Sequence, residues 1–285
     1  MTTTLEPQAQ SSSREDPLGE SERLIGRTDD GFVCNLLPSK GTQTDFRLQD
    51  AVESGLLSAT APPPALDLRA SWWPVGNQEQ TGSCVGWASA DGVGRYLMVT
   101  AGRIEEQVRL APRYIWMASK ELDEDGRRPT TFVELSGTSL KAAAAVAHNY
   151  GFALESELPF HIQTTMFAGS ENSLFASCSR RRVTYVNLEL RLDHWKIWLN
   201  ENGPILVGLK VDSNWSKCRG ETLDEFDSGS IFGGHAVCIV GYREDGTFIV
   251  RNSWGNMWGD EGFAYLTAAY IHAAFFNESY GFTLA

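Results

Sequence analysis

In the stretch Asn77-Gln78-Glu79-Gln80-Thr81-Gly82-Ser83-Cys84-Val85-Gly86-Trp87, a polar loop containing a glycine runs straight into small and apolar residues with helical character. Cys84 therefore falls in the first turn of a predicted helix. First-turn amide groups and the helix dipole favour an anion there, and the thiolate is the nucleophilic form of cysteine. A thiolate needs a base, and the base needs a group that orients it. Both stand near the other end of the chain. Gly233-Gly234-His235-Ala236-Val237-Cys238-Ile239-Val240-Gly241-Tyr242 and Phe248-Ile249-Val250-Arg251-Asn252 are β-branched apolar runs, and Arg243-Glu244-Asp245-Gly246 between them reads as a hairpin turn. The spacing predicts His235 at the start of one strand and Asn252 at the end of its neighbour, at the same end of the hairpin and within hydrogen-bonding reach.

At these residues the chain resembles the papain-like cysteine peptidases. Gln78 lies six positions before Cys84, Gly82-Ser83-Cys84 leads the helix, His235-Ala236-Val237 follows, and Asn252-Ser253-Trp254-Gly255 precedes Trp258-Gly259, all in the family's order between Leu66 and Leu266. The resemblance implies an α+β papain-like fold, with an N-terminal helical half, a C-terminal antiparallel sheet or barrel half, and the active cleft between them. It further implies peptide-bond hydrolysis through a thioester acyl-enzyme. Cys84 would be the nucleophile, His235 the general base and then acid, and Asn252 the group fixing the imidazole; Gln78 and the Cys84 N–H would form the oxyanion hole. Trp254 would cover the His235–Asn252 bond and, with Ser136, Gly137 and Gly234, line the cleft as a substrate contact; a plain helix-capping role accounts for Ser136 and Gly137 equally well. Val85 replaces the aromatic residue of mature papain-type enzymes, and Thr81 stands where secreted members carry a disulfide cysteine. Both departures point to a disulfide-poor, microbial branch. The same acyl-enzyme also serves transpeptidases, ligases and amidases, since pocket shape and water access choose the acceptor. A silent binding module with this fold would be expected to lose the nucleophile or the base, and this chain retains both.

The net charge of −12 over 285 residues argues against nucleic acid or an anionic membrane as a partner, leaving a peptide or protein substrate. The start of the chain lacks a basic, apolar leader, and no apolar run is long enough to span a bilayer, which predicts a cytoplasmic protein. Five cysteines (Cys34, Cys84, Cys178, Cys218 and Cys238), odd in number and without CxxC spacing, fit reduced thiols. A Cys178–Cys218 bridge would require export. The sequence contains no phosphate loop and no metal-ligand spacing, so neither cofactor nor metal is expected.

Three segments follow from composition. Residues 1–24, rich in Thr, Ser, Gln and Glu, are expected to be disordered. Residues 25–64 form an extension that ends in the stiff connector Ala61-Pro62-Pro63-Pro64 and carries a short helix closing at Gly55. Two readings compete for it: a propeptide or occluding arm in the cleft, and a structural wrap on the domain. The absence of a long helical propeptide pattern favours the wrap. Residues 65–285 make the peptidase domain. Predicted there are a helix from Cys84 to Val99, a second over Pro112–Ala118, and a solvated charged loop over Lys120–Arg128. An Ala-rich helix over Leu140–Tyr150 is capped by Thr138 or Ser139 and closes at Gly151. Strands over Val183–Val186 and Ile205–Val211 flank a helix over Leu190–Asn200. His148, His161, His194 and His272 have no comparable partners and read as surface or structural residues.

Overall fold

Small residues set the course of the helix that opens at Cys84. It begins as α2 (Cys84–Gly86), continues through a widened, π-helical stretch over Trp87–Gly94 and ends as α3 (Arg95–Thr100). The computed structural model describes residues 26–55, 60–123, 134–161 and 170–285, so the expected disordered tail lies outside the described residues. At Gly86 a Cβ would lie 2.3 Å from the Pro112 carbonyl oxygen, which lets α4 (Pro112–Leu122) pack backbone to backbone on the helix. At Gly92 the chain leaves helical geometry (φ −80°, ψ −106°), and a Cβ would lie 2.3 Å from the Cys238 sulfur. The Cys238 thiol takes the Ala88 carbonyl at 3.1 Å. The kink thus has an identifiable cause: a side chain from the sheet competes for the helical hydrogen-bond ladder where only glycine leaves room.

The Ala-rich α5 (Leu140–Asn149) is capped by Ser139, whose Oγ accepts from the Ala142 N–H at 3.3 Å, and it closes at Gly151 with φ +88°. Thr138 donates instead to Asp123, which also accepts from the Ser139 N–H and Oγ. α4 extends beyond its predicted end to Leu122, so Lys120 belongs to it rather than to a solvated loop. Its aliphatic stem is buried and its ammonium sits 4.4 Å above the centre of the Trp116 ring, an arrangement the sequence pattern read as exposure. The remainder of that predicted loop, from residue 124 on, lies outside the described residues. α6 (Glu171–Cys178) completes the helical side.

The second half is an eight-stranded sheet. β4 (Val183–Asn187), β10 (Phe275–Leu284), β5 (Ile205–Val211), β7 (Gly233–Tyr242), β8 (Phe248–Arg251), β9 (Phe263–Leu266) and β6 (Thr222–Leu223) are neighbours in that order, and β3 (Leu66–Asp67) pairs with β7. Every pairing in it is antiparallel except β6–β9. α7 (Leu192–Asn202) and α8 (Ala268–Ala274) pack on it. The central strands are buried on both faces. Leu206, Ala236, Cys238 and Val240 join the core of the helical half, while Ile205, Val207, Leu209, Val237 and Ile239 face a second core built with Trp195, Trp198 and Trp215. Period-two alternation here separates two cores rather than core from solvent. All five cysteines are free and buried. The Cys178–Cys218 pairing is not formed, because Cys178 packs in the helical core and Cys218 in the sheet's outer core.

A buried ion cluster joins the halves. Asp91, in the π-helical stretch, accepts from Arg251 Nη2 at 2.8 Å and Arg109 Nη2 at 2.7 Å, with Arg95 Nη1 at 3.5 Å. Burial works to raise the Asp91 carboxyl, and the three guanidinium charges outweigh it, holding it below the ordinary carboxylate range. Arg251 also donates to the Pro74 carbonyl at 2.8 Å and lies over Trp73. The Asp91→Asn variant keeps the shape and leaves Arg251 buried without its anion; urea unfolding should show a loss of about 3–5 kcal/mol.

Candidate active site

Four chain segments meet at Cys84. Its thiol is buried beside the start of β7, where the backbone amides of Ala236, Val85 and Cys84 itself favour the charged form. His235, also fully buried, donates from Nε2 to Asn252 Oδ1 at 2.7 Å, which leaves Nδ1 as the unprotonated nitrogen; Nδ1 has no partner among the described residues. The hairpin brings these two residues together: the β7–β8 register pairs Cys238 with Arg251, so His235 and Asn252 share its open end. Asn252 Oδ1 additionally accepts the Ser253 N–H at 2.7 Å, fixing the amide. Trp254 lies 4.8 Å from the His235 ring centre and, with Trp215 and Trp258, walls the pair from water.

Gln78 is held by a residue the sequence did not single out. Ser253 donates from Oγ to Gln78 Oε1 at 2.8 Å, and its carbonyl accepts the Gln78 N–H, also at 2.8 Å. That clamp orients the Gln78 amide nitrogen toward the cleft. The amide is already engaged, donating to the Val33 carbonyl at 3.2 Å and the Thr81 carbonyl at 3.0 Å.

Val33 belongs to the extension, which meets the site here. β1 (Gly26–Arg27) pairs with β2 (Val33–Cys34), and the chain then runs through the cleft. Phe32 stacks on Trp254 with ring centres 4.7 Å apart and planes 6° from parallel. Asn35 donates to the Leu135 carbonyl, and its backbone presses on Gly137, where a Cβ would lie 1.9 Å from the Asn35 oxygen. The Leu36 N–H donates to the Gly234 carbonyl at 2.9 Å, and the Leu37 N–H to the Thr138 carbonyl at 3.1 Å. Gly137, Gly234 and Trp254, expected to line the cleft, all therefore contact the arm. Ser136 differs: its carbonyl accepts the Trp116 indole N–H at 2.9 Å. Beyond Leu37 the extension wraps the domain instead. Asp45 binds Lys141 at 2.6 Å and Tyr280 at 2.8 Å, and Leu48 and Ala51 of α1 (Leu48–Glu53) are buried against the sheet's outer core.

The filled cleft changes the electrostatics expected from the helix terminus. Burial pushes the Cys84 thiol up to about 11, against the amides that pull it down. Burial also pushes His235 down to about 4, with the Asn252 bond opposing. In this conformation the thiol and the imidazole are both neutral near pH 7.

The family model described as papain family cysteine protease matches residues 62–276. A digestive cysteine proteinase of Homarus americanus is 27% identical over 223 residues, covering 73% of this chain and 63% of its own. An uncharacterized peptidase C1-like protein of Acanthamoeba polyphaga mimivirus is 27% identical over 173 residues, covering 54% and 51% respectively. The chain thus spans about half to two thirds of the length of these curated relatives. Among solved structures, xylellain, a cysteine protease from Xylella fastidiosa, superposes with a TM-score of 0.71 at 21% identity, covering 91% of this chain and 98% of its own, a likeness of fold. With the model matched from the Pro-rich connector to the last strand, the chain belongs to the papain family of cysteine proteases.

Proposed function

We propose that the chain is a cysteine-type endopeptidase, and that the conformation described here is its latent form. The observation that carries the chemistry is the 2.7 Å bond from His235 Nε2 to Asn252 Oδ1, made at the start of the strand that packs on the helix opening at Cys84. The passage of the arm supports action within a chain: backbone lies in the cleft on both sides of Cys84, from Phe32 to Leu37.

When the arm leaves, water enters and the desolvation that neutralises the pair is relieved. Cys84 then passes its proton to His235 Nδ1. The thiolate attacks the scissile carbonyl, and the resulting oxyanion takes hydrogen bonds from the Gln78 amide and the Cys84 N–H. His235 Nδ1 returns the proton to the departing amine, leaving a thioester on Cys84. Water, giving its proton to His235, releases the acid. Asn252 keeps Nε2 protonated throughout, so Nδ1 remains the working nitrogen. The Val33 carbonyl on Gln78 is what makes the arm inhibitory, since it occupies a donor the oxyanion requires.

Two measurements test this reading. With the arm loosened by Phe32→Ala and Leu36→Ala, a quenched fluorescent peptide should be cleaved; Cys84→Ala in that background should abolish turnover, and Gln78→Ala should lower kcat/KM roughly 100- to 1000-fold. Turnover that survives Cys84→Ala would end the proposal. In the unaltered chain, alkylation of Cys84 should follow a thiol titrating near 11, because burial disfavours the charged form. The loosened variant should react at lower pH and, near neutrality, at least about tenfold faster, which needs only about 1.4 kcal/mol less docking energy.

A further inference from the structure

Glu278 carries a carboxyl group that the peptidase chemistry does not use, and it holds the arm. β10 shifts register against β5 between Phe275 and Ser279, with Asn277 at φ +68°. This bulge leaves Asn277 exposed and turns Glu278 inward, where it is 1% exposed. Glu278 Oε1 accepts the Ser39 N–H at 3.2 Å, just past the point where Leu37 leaves the cleft. Its Oε2 receives no hydrogen bond among the described residues. Ser39 is fixed from the other side as well, since its Oγ accepts the Lys141 N–H at 3.0 Å. The surrounding groups do little for an anion at Glu278. Asp123, at the end of α4, faces it with a charge of like sign. Lys141, on α5, has its ammonium on Asp45 at 2.6 Å and on the Gly41 carbonyl. The Tyr280 hydroxyl gives its proton to Asp45 at 2.8 Å. Burial therefore prevails over the bonds from Ser39 and raises the Glu278 carboxyl to about 7.

We propose that Glu278 is a proton-operated clasp on the arm: it takes up a proton as the arm docks, so the arm is held in mild acid and loosened as the pH rises. The inference rests on the reading of this form as latent. With the arm docked, the carboxyl is dry and its neutral form is favoured. With the arm away, Ser39 no longer covers it, water reaches it, and it ionises in the ordinary carboxylate range. Docking thus binds a proton. The stability this gives the docked arm is complete below the ordinary carboxylate range and is lost as the pH rises through about 7. His235 acts in the opposite sense. It is buried in the docked form and pushed down to about 4, so charging it favours the open cleft. Glu278 therefore keeps the arm in place over the mildly acidic range in which a charged His235 would expel it. Cys84, pushed up to about 11 when docked, and His235 are the same in wild type and in a Glu278 variant, so comparing the two isolates the clasp.

The test reads docking rather than activity and uses the full chain. Amide hydrogen exchange, followed by mass spectrometry and corrected for the intrinsic rate at each pH, gives the protection of the Leu36 and Leu37 N–H groups, which bind Gly234 and Thr138 in the docked arm. Wild type is compared with Glu278→Gln, which keeps the shape and cannot ionise, and with Glu278→Ala as a second variant that removes the carboxyl outright. The ratio of wild-type to Glu278→Gln protection should fall at least about tenfold between about pH 5 and about pH 8, with most of the change complete near 7. Against Glu278→Ala the ratio should fall over the same range, from a different starting value. Ratios that stay constant with pH, or that rise, would overturn the clasp. The latent reading fails separately, if the Phe32→Ala, Leu36→Ala protein shows no turnover; the exchange ratio needs no turnover and still decides the clasp.

Discussion

The buried carboxylate of Asp91 is the contact on which the site's geometry depends. It sits in the helix that starts at Cys84 and receives Arg251, the residue before Asn252. Cys84 and Asn252 arise from segments far apart in sequence, and a hydrogen bond within the β7–β8 hairpin cannot by itself set their separation. The ion cluster can, because an Asp with no exposure and an Arg with almost none must each remain paired. The kink at Gly92, one residue on, lets the sheet approach closely enough for that pairing. Helix shape, interlobe docking and the position of Asn252 form a single mechanical unit.

A second constraint acts on the chemistry through solvent. The helix start, the amides around the Cys84 sulfur and the Asn252 bond all favour a charged pair, yet the filled cleft leaves thiol and imidazole neutral. Desolvation prevails because Cys84 and His235 are both wholly buried, out of reach of the bulk water that would stabilise either charge. In the proposed latent form, occlusion and deactivation would share one physical cause: the backbone that fills the cleft would also keep water from a charged Cys84–His235 pair.

The extension also shows how one segment can satisfy two architectural demands. Its first part lies in the cleft and uses backbone contacts to Gly137, Gly234 and Gln78. Its second part is fastened by Asp45, Leu48 and Ala51 to the sheet side of the domain. The fastening raises the local concentration of the cleft-binding part, so weak individual contacts suffice to keep the site covered.

Local chemistry made much of this legible in the sequence. Cys84 before a small-residue helix, the paired β-branched runs bounded by glycine, and the Ser139 cap of the Ala-rich helix each depend on neighbours within a few positions. So did the expectation that His235 and Asn252 would meet, since a hairpin turn fixes register. The Ser253 clamp on Gln78, the Asp91–Arg251 pairing, the burial of Lys120 on Trp116 and the course of residues 26–37 had no such signal. Each joins residues distant along the chain, and polar or charged side chains read as exposed until a partner buries them. The sequence by itself determined which groups could do the chemistry and which turns would present them. Only the tertiary structure decided their charge state and access, because both depend on what excludes water from Cys84, and that is set by a strand fifty residues away.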